Sequence, residues 1–167
     1  MTVLSDYTAE EQGLLMEGPR LGAVAVAAAS LGKERETASE GFAAAEYVLS
    51  SKGDYLDNTL IGSIQYELQQ RSANEEHFAN FVDLASVPGA KENALAKLRQ
   101  LSDLLAAKSN PAEAAGYKDW IMNTAVRTSE AGEEGGGFLG WGAIPVNDAE
   151  KEALSQVAAA LGIATTG

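Results

Sequence analysis

Apolar side chains recur every three or four residues along most of the chain, the spacing that lines one side of an α-helix. "TAEE", Thr8 to Glu11, reads as a capping box, in which Thr8 accepts from a free backbone N–H and Glu11 reaches back. The spacing predicts a short first helix ending near Gly18. Pro19 then opens a second, whose "AVAVAAAS" surface offers little beyond methyl groups and suits a buried central position. From Glu34 to Ser51, Ala38, Phe42, Ala45, Val48 and Leu49 draw one apolar face, expected to face the core, with Gly53 as the stop. Between Tyr55 and Gln70 the face is Leu56, Leu60, Ile61, Ile64 and Leu68. Gly62 within it implies a close contact, because glycine weakens a helix by about 1 kcal/mol relative to alanine.

The rhythm continues toward the C-terminus. Ser72 or Asn74 can cap a segment carrying Phe78, Phe81, Val82 and Ala85, which Pro88 ends. Lys91 to Lys108 holds Ala94, Leu95, Leu98, Leu101 and Leu105 in register. Pro111 restarts a helix with Tyr117, Ile121, Ala125 and Thr128 on one side. Asn147 with Glu150 forms a further capping arrangement ahead of Leu154, Val157 and Leu161. No stretch alternates with the two-residue period of a strand, and neither Asn-Gly nor Asp-Gly marks a hairpin. The expectation is an all-α fold: residues 1–167 form one single-domain helical bundle of about seven or eight helices. A glycine-rich apolar strap, Gly132 to Val146, precedes the last of them.

Composition narrows the function classes. Twenty-four acidic against twelve basic side chains give a net charge of −12, which opposes a nucleic-acid backbone and an anionic membrane as partners. The absence of cysteine excludes disulfides, thiolate metal sites and a cysteine nucleophile. The longest uncharged run, Leu21 to Gly32, falls short of the roughly 20 residues that span a bilayer, so membrane insertion is not expected. With Asp6, Glu10 and Glu11 ahead of it, the start of the chain has the wrong charge for a secretory leader. The expected setting is cytoplasmic.

Candidate chemistry is sparse. The sole histidine, His77, adjoins Phe78 on an amphipathic stretch, lacks a second histidine for a di-iron or zinc motif, and reads as a boundary residue. Ser30 and Lys33 have the Ser-x-x-Lys spacing without the companion motifs that give it meaning. Glycines at 132, 135, 136, 137, 140 and 142 raise the question of a phosphate cradle. No lysine-serine ending follows them, and the neighbouring carboxylates repel phosphate. Those carboxylates, Glu133, Glu134, Asp148 and Glu150, suit a divalent cation better, although they lack the regular spacing of a calcium loop. Phe138 and Trp141 are too apolar for a free loop. Turned inward they plug the bundle, and turned outward they would anchor a protein partner or a second copy.

The run "GGGFLGWGAIPVNDAEKEALSQVAAALG", with "YTAEEQGLLMEGPRLGAVAVAAAS" near the start, resembles a poorly characterised group of all-helical bacterial proteins. That resemblance covers most of the chain and implies a helical, cytosolic protein with no assigned activity. "AVAVAAASLG" and "VNDAEKEALSQVAAALG" are more weakly similar to two elements of TerB-like domains of tellurite-resistance systems. Leu31 stands where that family has an aspartate, and a long insertion precedes the second element. This second resemblance implies an acidic, cation-binding stress protein, with Asp148 and Glu150 as what remains of its site. The leading expectation is a non-enzymatic interaction protein with no bound cofactor. The alternatives are the TerB-like cation domain and a small-molecule enzyme built on buried carboxylates.

Overall fold

The computed structural model describes residues 1–30, 34–72, 81–132 and 148–164. Among these the chain is helical, without strands, and forms a bundle of seven α-helices. They are α1 (Ala9–Ala27), α2 (Glu34–Ser50), α3 (Thr59–Ser72), α4 (Phe81–Ser86), α5 (Ala90–Lys108), α6 (Pro111–Gly132) and α7 (Asp148–Leu161). A 3-10 turn, Ser51–Tyr55, continues α2. No helix among the described residues is long and apolar enough to cross a membrane.

The Thr8 capping box forms: Thr8 Oγ accepts from the Glu11 N–H at 3.3 Å and Glu11 Oε2 accepts from the Thr8 N–H at 2.8 Å. The break expected at Gly18 and Pro19 does not occur, and α1 runs through both. Proline costs a helix the hydrogen bond to the carbonyl four residues earlier, here that of Leu15. The Tyr117 hydroxyl on α6 donates to that carbonyl and so replaces the missing N–H. Gly18 makes the approach possible, since a Cβ there would collide with the Tyr117 oxygen. One turn on, a Cβ at Gly22 would lie 2.9 Å from Ile121 Cγ2 and 3.1 Å from the Ile121 carbonyl. The two glycines and the alanines of residues 23–27 let α1 settle deep against α6 and α5 at the centre of the bundle.

Helices α5 and α6 follow the sequence. Ala94, Leu95, Leu98, Leu101 and Leu105 are buried, as are Tyr117, Ile121, Ala125 and Thr128. On α3, Leu60, Ile61, Ile64 and Leu68 are buried, but Leu56 precedes the helix and is exposed. Gly62 makes no close contact: a Cβ there would meet nothing within 4 Å. Gly53 does not stop α2, which passes at Ser51 into the 3-10 turn. Gly162, at φ 69°, ends α7, where the Ile163 N–H returns to the Ala158 carbonyl at 2.9 Å.

The largest correction concerns α2. Phe42 is 74% exposed and Leu49 36%, whereas Thr37, Glu40, Gly41, Ala44, Val48 and Ser51 face inward. Two strips, 37-41-44-48 and 38-42-45-49, share the same spacing and differ by about 100° of rotation, so periodicity alone does not choose between them. Closeness of approach decides. The Phe81 ring of α4 lies on Gly41, where a Cβ would sit 2.6 Å from its Cδ1. Only a glycine fits directly beneath that ring.

The opposite end of the bundle is closed by a polar knot. The Glu113 carboxylate accepts from the Thr2 N–H at 2.7 Å and from the Thr59 hydroxyl, and Asn58 Nδ2 donates to the Glu113 carbonyl at 2.9 Å. Burial pushes the Glu113 carboxyl up, but the Thr59 and Thr2 bonds outweigh it and hold it below the usual value. A carboxyl depressed by folding stabilises above its unfolded pKa, and that stabilisation disappears as pH falls through the folded value. Glu113→Gln is therefore expected to lower stability at neutral pH, with the gap from wild type closing in acid. Urea melts at about pH 7 and about pH 3 check this, and a gap of equal size at both would contradict it.

Candidate functional site

Two surface features stand out among the described residues, the outward strip of α2 and a groove on a different side of the same helix. The groove runs between α2 with its 3-10 turn and α6. One part, about 620 Å³, is lined by Tyr47, Asp54, Tyr55, Asp119, Asn123 and Arg127. A second part, about 340 Å³, extends it past Tyr47 and Arg127 to Ala43, Glu46 and Ala131. The helices are antiparallel here, since Tyr55 lies by Asn123 and Ala43 by Ala131. On α6 the exposed residues Asp119, Asn123, Arg127 and Glu130 recur at helical spacing and form one wall.

The aromatic wall is fixed by hydrogen bonds. Asn123 Nδ2 donates to the Tyr55 hydroxyl at 2.9 Å, and the Tyr55 and Tyr47 hydroxyls lie 3.3 Å apart. The Arg127 guanidinium sits 5.9 Å from the Tyr47 ring centre and 3.5 Å from Glu130 Oε2. Burial, then the bond with Tyr55, pushes the Tyr47 phenol up, with Arg127 opposing weakly. A phenol held protonated serves as a donor and an aromatic face, not as a base. The wall is anchored below by Trp120, whose Nε1 donates to Ser51 Oγ at 2.9 Å. Gln65 Nε2 donates to the same oxygen at 3.3 Å and to the Val48 carbonyl at 3.0 Å.

The residues singled out in the sequence are distributed otherwise. Glu133, Glu134, Phe138 and Trp141 lie outside the described residues, as do His77, Lys33, Asn147 and every strap residue after Gly132, which ends α6. Of the proposed cation ligands the structure describes two. The Asp148 side chain is fully exposed, 3.6 Å from Lys151 Nζ, while Glu150 is buried and accepts from Ser30 Oγ at 2.9 Å. That bond joins the end of α1 to the start of α7. Among the described residues no three acidic or histidine side chains converge as a metal site would require. The buried carboxylates Glu40, Glu113 and Glu150 belong to α2, α6 and α7 and do not share a groove.

Nothing in the sequence pattern marked the Tyr47–Tyr55–Asn123–Arg127 wall. Its members come from α2, the 3-10 turn and α6, which only tertiary packing brings together, and the polar strip on α6 has the spacing of any solvent-facing helix side. No family model, curated protein or solved structure matches this chain.

Proposed function

We propose that this protein is a cytoplasmic, non-enzymatic interaction domain that docks a helical protein partner on the outward face of α2. The observation that supports it most is Phe42, 74% exposed and in register with the exposed Ala38 and Leu49 and the half-buried Ala45. A scattered surface leucine needs no explanation, but an aromatic-led stripe about three turns long is the form of a helix-docking seam. The inward side of α2 is already filled by Phe81 of α4 and by contacts with α6, so among the described residues the stripe stands outside the core. Burying a phenylalanine and a leucine in a partner contributes about 1.5–3 kcal/mol each when complete.

Two synthetic amphipathic helices test it, sharing one leucine face and carrying either lysines or glutamates elsewhere. Fluorescence anisotropy is expected to detect binding of at least one by the wild-type chain. The double variant Phe42→Ser/Leu49→Ser is expected to weaken that binding by roughly tenfold or more. Undiminished binding by the double variant would sink the reading.

A further inference from the structure

We infer that the cavity where α1, α5 and the α4–α5 turn meet is a binding site for a small monocarboxylate with an apolar tail. The carboxylate pairs with Lys97, and the tail lies between Val24 and Val87. The cavity holds about 180 Å³, and one of roughly 150 Å³ lined by apolar side chains takes a molecule of benzene's size. No residue of α2 lines it, so the site is independent of the docking face.

Its two ends differ in chemistry. Lys97 pairs with Glu17 and Lys108 with Glu11, so α1 and α5 run antiparallel. Leading away from the Glu17–Lys97 end, α1 presents Leu21 and Val24 while α5 presents Ala94 and Ala90, each along one helical face. Leu84, Val87 and Pro88 form the third wall, and Asn93 is the one further polar side chain of the lining. Leu84 is 39% and Val87 55% exposed, so this wall offers apolar surface that a tail would cover. From Glu17 to Val24 is about 10 Å along the helix, room for a tail of several carbons.

The charged end selects a carboxylate. Glu17 Oε1 accepts from Arg20 at 3.1 Å and Glu17 Oε2 from Lys97 at 3.2 Å. An ammonium has three donors, and among the described residues Lys97 makes this one ion pair. It can take a second carboxylate beside Glu17, or turn to it while Arg20 keeps Glu17 paired. In the α2–α6 groove, by contrast, Asp54, Asp119 and Glu130 face the single cation Arg127, a lining that repels an anion.

Titration of the isotope-labelled chain with hexanoate, followed by NMR, tests the site. Saturable shifts are expected at the amides of Leu21, Val24, Leu84 and Ala90. Butanoate, with two fewer methylenes to bury, should bind about tenfold more weakly. Hexylamine and hexanol should each bind at least about fivefold more weakly than hexanoate. Lys97→Gln should weaken hexanoate by about fivefold, whereas Arg99→Gln, exposed on α5 outside the cavity, should change it less than about twofold. Hexanol or hexylamine binding as tightly as hexanoate would leave only an apolar crevice and overturn the inference. The absence of saturable shifts at these amides would do the same, as would equal losses in Lys97→Gln and Arg99→Gln. A dimer in sedimentation that Leu84→Ser/Val87→Ser dissolves would also overturn it, since a second copy would then cover the cavity.

Discussion

Gly18→Ala is expected to destabilise the fold by about 2–5 kcal/mol, combining overpacking with the loss of a buried hydrogen bond. An alanine elsewhere in a helix would stabilise relative to glycine. Here the added methyl would occupy the position of the Tyr117 hydroxyl, with Ile121 Cδ1 and Leu101 Cδ1 each 3.1 Å away and closing off relaxation. Displacing that hydroxyl strips the Leu15 carbonyl of its donor, and Pro19 has no N–H to restore it. Leu15 and Tyr117 are both fully buried, so water does not reach the orphaned carbonyl. Burial also pushes the Tyr117 phenol up, which keeps it a donor at any ordinary pH.

Tyr117→Phe removes the same bond without the collision and is expected to cost about 1–3 kcal/mol. Because the alanine methyl and the hydroxyl compete for one space, the double variant should cost clearly less than the sum of the single ones. Denaturant unfolding of the four proteins measures this. Strict additivity would mean that the two side chains do not meet.

The second large effect is expected at Trp120. Trp120→Ala should cost about 3–5 kcal/mol, in the range of large aromatic deletions from a core. The indole is fully buried and meets Tyr117 edge-on, with ring centres 5.8 Å apart at 64°. Its Nε1 also bonds Ser51 Oγ, so its loss loosens the joint between α2 and the 3-10 turn that carries Tyr55. Trp120→Phe keeps most of the ring volume and leaves Ser51 its bond from Gln65, and its cost should be smaller. Thermal and denaturant unfolding check the order. A phenylalanine variant as damaged as the alanine variant would place the weight on the Ser51 bond rather than on packing.

Where one helix offers a single apolar strip, the sequence is enough to find its buried side. On α5 the leucines at 95, 98, 101 and 105 have no rival face, and the alternatives on α6 are Asp119, Asn123 and Arg127. On α2 two strips compete, and the larger side chains of the outward strip mislead because the Phe81 ring presses on the inward strip at Gly41, where no Cβ fits. Pro19 misleads for a related reason. A proline ends a helix when nothing compensates for the lost hydrogen bond, and the compensating hydroxyl comes from a residue 98 positions away in the sequence. Gly62 and Gly18 look alike in sequence, as glycines among apolar residues, and only the second meets a neighbour.

The proposed docking face is hidden in the sequence because Phe42 and Leu49 carry the spacing of core residues. The α2–α6 groove depends on an antiparallel contact that no local pattern encodes. The strap with Phe138 and Trp141, to which the sequence drew attention, lies outside the described residues. The stripe on α2 carries the functional reading in its place.

An apolar stripe turned outward makes no contribution to its own fold, and that is the most direct point of attack. Equilibrium urea unfolding of Phe42→Ser/Leu49→Ser, compared with wild type, is the measurement. A stability within about 0.5 kcal/mol of wild type is the expected result, as for substitutions on an exposed surface. A loss of about 2 kcal/mol or more, the signature of emptied core, would mean that the chain itself covers the stripe, and would contradict a face kept for a partner.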